Sequence, residues 1–281
     1  MHEEPREEPA AVRRRDLILA LAACALATAC GRAAPQPGPA AARAPSPAPA
    51  AAPLTGYLAP PELIQADRKG DGVLLSGTAT PGANLRLASP NGAVITIQAD
   101  ARGMWRLAAP VGRAPRLYSL SEQVDGRLVR ATGYIVALPA PGPAAAMLHP
   151  AASATLTPDD PSHGLTAVDF DASGQAMASG RAAGGESIRL LLDGKEAGED
   201  RADAAGMFSA ALSQSLKPGA HVLVLAERPA YSETFTAARI TQIATPPFAS
   251  VRLQGAWRID WPTPGGGVQS TVLFDQKGVR P

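Results

Sequence analysis

Cysteine is nearly missing from this chain: 281 residues contain two, Cys24 and Cys30. Two thiols cannot build a disulfide-stapled scaffold or a Cys-rich zinc module. An excess of either charge is also missing. Lys plus Arg is 26 and Asp plus Glu is 25. That balance removes the electrostatic case for a nucleic-acid partner, which rests on concentrated basic residues. Aromatic residues make up only 4%. Long apolar runs are absent apart from residues 17–29, which are too few to span a bilayer as a permanent helix. Reaction signatures are missing as well. The chain has no Gly-x-Ser-x-Gly elbow and no His-Glu-x-x-His helix. Its histidines, His2, His149, His163 and His221, have no second His at metal-ligand spacing and read as solvated side chains. Asp159-Asp160 and Asp169-Phe170-Asp171 lack the spacing of a calcium loop and read as turn or surface acids. No catalytic residue, no metal ligand and no cofactor is assigned.

The N-terminus reads as an address. Arg13-Arg14-Arg15-Asp16 precedes the apolar residues 17–29, which end in Ala27-Thr28-Ala29 before Cys30 and Gly31. This resembles a bacterial lipoprotein signal peptide, covering residues 1–29. The resemblance implies a lipid on Cys30, which would become the new N-terminus and hold the protein to a membrane. Ala27 departs from the usual Leu. Leu21-Ala22-Ala23-Cys24 matches the box better but leaves a shorter apolar core, so Cys24 is the alternative lipid site. Ordinary cleavage after Ala-x-Ala is a third reading. Arg14-Arg15 also resembles a twin-arginine export signal, which leaves the export route open. Gly31, rather than Asp, after Cys30 implies an outer-membrane lipoprotein if the host is Gram-negative.

Residues 30–56 form a linker. Ala33 to Pro53 holds ten Ala and seven Pro. Such a tract buries nothing, and its prolines forbid a continuous helix. Where polyproline-like it extends about 3 Å per residue, up to roughly 60 Å.

Downstream the chain repeats itself. Ser76-Gly77-Thr78-Ala79-Thr80-Pro81-Gly82-Ala83-Asn84-Leu85-Arg86-Leu87 matches Ser179 to Leu190, 103 residues later. Asn91-Gly92 matches Asp193-Gly194, and Ala99-Asp100-Ala101-Arg102-Gly103-Met104-Trp105 matches Ala202 to Phe208. Leu85 and Leu87, like Ile188 and Leu190, alternate with polar residues, as in half-buried strands. Asn-Gly and Asp-Gly are hairpin-turn dipeptides. Trp105 and Phe208 read as core plugs, and Asp100 and Asp203 as turn acceptors. Short strands between frequent turns predict an all-β fold of two tandem sandwiches, 57–138 and 151–245.

The quoted blocks resemble bacterial immunoglobulin-like domains. That resemblance implies spacer or binding modules in envelope proteins. A Pro-rich linker at 139–150 separates the two modules, and 246–281 reads as a C-terminal hairpin. In the hairpin Trp257, Ile259 and Trp261 alternate before a Pro-Gly turn, and Val268, Val272 and Phe274 share a face. An isolated hairpin is marginal in water, so this one is expected to pack on the second module or on a partner. Trp257 and Trp261 are the candidate ligand-binding residues, since indole faces suit a sugar ring; burial in a core is the competing reading. Three functions stand side by side. One is a non-enzymatic envelope lipoprotein with a structural or adhesive role toward another envelope protein. The second is a peptidoglycan- or polysaccharide-binding protein. The third is a hydrolase with an unrecognised site.

Overall fold

In the computed structural model, the described residues are 57–157, 163–226, 230–243 and 247–275. Cys24, Cys30, the spacer, His2 and Asp159-Asp160 lie outside them. The described residues form twenty β-strands and no helix. The first module contains β1 (Glu62–Lys69), β2 (Gly72–Thr78), β3 (Asn84–Ala88), β4 (Val94–Gln98), β5 (Met104–Pro110), β6 (Arg116–Val124), β7 (Arg127–Arg130) and β8 (Tyr134–Ala137). Next come β9 (Ala145–Leu148) and β10 (Thr155–Thr157). The second module contains β11 (Gly164–Asp171), β12 (Ala176–Arg181), β13 (Ser187–Leu192), β14 (Lys195–Arg201), β15 (Met207–Ala211), β16 (Gly219–Leu225) and β17 (Tyr231–Ala237). The tail contributes β18 (Ala249–Leu253), β19 (Ala256–Pro262) and β20 (Val268–Phe274).

Each module is a two-sheet sandwich, as the alternation predicts. The first closes β1-β2-β5 over a sheet ordered β10-β9-β8-β6-β3-β4, with β7 also on β6. Its core gathers Leu75, Leu85, Leu87, Trp105, Tyr118 and Ile135. The second closes β14-β13-β16-β17 over a sheet ordered β15-β12-β11-β20-β19-β18. Phe170, Ile188, Leu190, Phe208, Phe235 and Phe274 fill its core.

The repeat extends to individual hydrogen bonds. Asp100 Oδ1 accepts from the amides of Arg102 and Met104, and Asp203 Oδ1 accepts from those of Ala205 and Met207. The Ala79 amide donates to the Gly103 carbonyl, and Ala182 to Gly206. Gly103 and Gly206 sit at φ of 78° and 83°, a region that disfavours a Cβ. The first strand of each module bulges at one place, between Leu63 and Gln65 and between Leu165 and Ala167. The turn Asp193-Gly194 has positive φ at both residues, 51° and 77°, as a tight hairpin turn requires.

The segment between the modules departs from the composition-based reading. Residues 139–150 are not only a linker, because Ala145–Leu148 form β9, which adds to the first module's sheet beside β8. The preceding loop is clasped by Arg68. Its guanidinium donates to the carbonyls of Leu138 (2.8 Å), Pro139 (3.2 Å), Gly142 (2.9 Å) and Pro143 (2.8 Å). The tail forms the expected hairpin, turning at Thr263 to Gly267. It is extended by β18 and seated against β11 of the second module, with Val272 opposite Val168.

These additions create a third core. Leu117, Val136, Leu138, Ala146, Leu148 and Leu156 come from one middle sheet; Ala167, Ile259, Trp261 and Leu273 come from the other. Alternation explains the geometry, since successive residues of a strand face opposite sides. Ile135 faces the first module's core and Val136 the third. Val272 and Phe274 face the second module's core, and Leu273 the third. The tail hairpin is therefore apolar on both faces rather than one. Among the described residues four sheets stack with three apolar layers between them.

Candidate functional site

Two places gather polar side chains around the third core. The first is a buried network on β11, β19 and β20. Trp261 Nε1 donates to Thr271 Oγ1 (3.1 Å), and Thr271 Oγ1 donates to Asp169 Oδ1 (2.5 Å). Gln269 Nε2 also donates to Asp169 Oδ1 (3.3 Å), and the Ala154 amide donates to Oδ2 (2.8 Å). The Gln269 side chain reaches the intermodule segment too, accepting from the Ala151 amide (3.1 Å) and donating to the His149 carbonyl (3.3 Å). A small cleft of about 260 Å³ opens beside Asp169, Gln175 and Gln269. Burial pushes the Asp169 carboxyl up to about 6, although bonds from Thr271, Ala154 and Gln269 pull it the other way. A buried carboxylate held by three donors fixes geometry. It ties residues 149–154 to the tail.

The second place is a larger cleft of about 580 Å³, between the outward face of β3, β6 and β7 and the tail hairpin's turn. Its polar lining is Arg86, Ser119, Ser121 and Arg130; Tyr134, Leu128, Pro150 and Pro264 supply apolar walls. Strand register aligns the floor. Arg86 on β3 pairs with Ser121 on β6, and Ser121 pairs with Arg130 on β7. The three side chains thus form one row across three strands. Tyr134 is steadied from behind by Trp261, whose ring meets it edge-on at 5.7 Å between centroids.

The sequence candidates fall differently from expectation. Trp261 is fully buried in the third core, so its indole cannot be offered to a sugar. Trp257 is half-buried against the same core, and the Arg252 guanidinium lies 5.3 Å above its ring. Arg252 is in turn paired with Asp275. Burial thus removes Trp261 from a paired-indole platform, while Trp257 keeps part of its surface exposed. Asp169 is buried, not a turn or surface acid; neighbouring Asp171 does cap a turn, accepting from the amides of Ser173 and Gln175. His221 is not solvated either. It is 9% exposed, with Nδ1 2.8 Å from Asp193 Oδ2 and Nε2 2.7 Å from the Lys217 carbonyl. Burial lowers its pKa, but these two acceptors outweigh burial and leave it raised. His149 is half-buried and shifts the other way, because burial outweighs its backbone hydrogen bond at Thr132. His163 is exposed, as the sequence implies. Among the described residues no group of three His, Cys, Asp or Glu side chains is placed to hold a metal ion.

The row of Arg86, Ser121 and Arg130 escapes sequence reading because it exists only through strand register. No family model matches the chain, and no curated protein matches it in sequence. Among solved structures, it is similar to one described as "Structural insight into host cell surface retention of a 1.5-MDa bacterial ice-binding adhesin". The identity is 15% and the TM-score 0.21, covering 63% of this chain and 62% of that one. A "Biofilm associated protein - BSP domain" aligns at 11% identity and TM-score 0.21, over 64% of this chain and 30% of that one. The "Central Fibronectin-III array of RIM-binding protein" aligns at 13% and 0.23, over 80% and 88%. The chain thus spans less than two thirds of the length of the first two. Likeness at this level assigns no activity to it.

Proposed function

We propose that this chain is a non-enzymatic bacterial cell-envelope lipoprotein, anchored by a lipid on Cys30. Its role is structural or adhesive: an Ala/Pro-rich spacer holds a stiff β-body, built of immunoglobulin-like modules, away from the outer membrane toward another envelope component. The observation that carries the structural role is the third core; the lipid anchor rests on the signal-like residues 17–30 of the sequence. Burying a Leu- or Ile-sized side chain is worth about 1.5–3 kcal/mol, and the layer between the middle sheets holds several. Two modules joined by a flexible linker would swivel; two modules sharing an apolar layer move as one body. A stiff body on an Ala/Pro-rich tether suits display better than turnover.

Mass spectrometry of the mature N-terminus tests the reading. The expected species begins at Cys30 and carries a lipid. Replacing Cys30 by Ala then moves the protein from the membrane fraction to the soluble one. An unmodified N-terminus, or membrane retention of the C30A protein, contradicts it.

A further inference from the structure

We infer that the cleft between β6–β7 and the tail hairpin's turn binds an acidic glycan, holding a uronate-type carboxylate between Arg86 and Arg130. This goes beyond the proposed anchoring and display, and stands or falls independently of the lipid.

The charge pattern is the first observation. Arg86 and Arg130 stand in one row on either side of Ser121. With strands about 4.8 Å apart, their backbones lie about 10 Å from each other, within joint reach of one anion. Among the described residues neither has an ion pair or a side-chain hydrogen bond. Among the described residues no Asp or Glu lines the cleft. Two uncompensated guanidinium groups on one concave surface repel each other and attract an anion. A planar fork matches a carboxylate, which can take two parallel N–H bonds from one guanidinium and a further N–H bond from the other.

The walls narrow the class further. Leu128 is 56% exposed although it lies in a strand, and the half-buried Tyr134 lines the cleft while its ring meets Trp261 edge-on. Pro150 and Pro264 close the sides. Apolar walls around a floor of hydroxyls and guanidinium groups fit a ring with apolar faces and polar edges, which is the character of a pyranose. The volume lies in the usual range for small-ligand sites, about 300–1,000 Å³. An extended acidic peptide would match the charge but would not use the enclosed apolar walls.

The test is calorimetric titration of the purified full chain in detergent with four probes: galacturonate oligomers, neutral glucan oligomers of the same length, poly-Glu and inorganic phosphate. Saturable binding of the galacturonate oligomers is expected, weakening as salt rises, with no binding of the glucan. The R86Q/R130Q protein should bind at least tenfold more weakly with an unchanged thermal midpoint. R130Q alone should show an intermediate loss. R86K/R130K, which keeps the charge but not the fork, should recover only part of the affinity. Absence of galacturonate binding overturns the inference, as does binding unaffected by R86Q/R130Q. Equal or tighter binding of poly-Glu or phosphate also overturns it, reassigning the cleft to acidic peptides or free anions.

Discussion

Trp105 lies across the ladder from Gly77, and a Cβ on Gly77 would stand 2.8 Å from the ring's Cζ2 and 1.8 Å from the Glu62 carbonyl oxygen. The second module repeats the relationship. Phe208 faces Gly180, where a Cβ would come within 2.5 Å of Cζ and 2.3 Å of the Gly164 carbonyl oxygen. The Ser-Gly pairs of the repeat therefore make room for the core plugs. Gly77→Ala and Gly180→Ala should each cost at least 1–3 kcal/mol, the usual range for overpacking. Urea unfolding measures this, with Gly82→Ala, where a Cβ meets open space but φ is +71°, as a comparison limited to backbone strain.

The two inner histidines should titrate in opposite directions. Both His221 nitrogens face acceptors, so its doubly protonated ring is favoured and its pKa lies above the ordinary 6.5. Burial holds His149 below that value. NMR titration of the imidazole resonances should place the midpoints on either side of 6.5. For His221 the linkage sign follows: its contribution to stability is full below pH 6.5 and disappears as pH rises through the raised native pKa. Asp193→Asn should bring the His221 midpoint down.

Asp169 has the reverse sign from an ordinary paired carboxylate. Its native pKa of about 6 exceeds its ordinary value of 3.8, so the native state takes up a proton between them. Stability from this group rises as pH falls from 6 toward 3.8, by about 2–3 kcal/mol in all. Asp169→Asn removes that compensation. Its urea midpoint should fall more steeply than the wild type's between pH 6 and 4; parallel curves would contradict the assignment.

Much of the fold was legible because its signals are local. Asp100 to Gly103 and Asp203 to Gly206 carry their turn chemistry within four residues, and Leu85 and Leu87 show their half-buried strand directly. The intermodule strand was not legible. Ala145-Ala146-Met147-Leu148 is buried on both faces, so it shows no alternation, and alanine is a weak strand former beside Pro-Ala-Pro-Gly-Pro. Its partners are remote: Arg68 reaches the preceding loop from seventy residues upstream. The tail hairpin was visible in outline, but only tertiary packing decides whether Trp261 faces solvent or a second sheet. The same holds for Arg86 and Arg130, which are exposed strand residues until register lines them up.

Trp261→Ala should cost about 3–5 kcal/mol, as for other buried aromatic residues. Because Trp261 supports Tyr134, the loss should reach beyond the tail. Unfolding followed at Trp105 in the first module should shift together with the global transition. A Trp105 signal indifferent to Trp261→Ala would mean that the modules are uncoupled.

Hydrogen exchange at the intermodule segment tests the shared third core most directly. The amides of Ala146 and Leu148, the Ala154 amide bound to Asp169, and the Trp261 indole N–H should be protected as strongly as the central strands β6 and β11. Exchange at the rate of an open chain in residues 145–154, with both sandwiches still protected, would show two beads on a string and contradict the four-layer body.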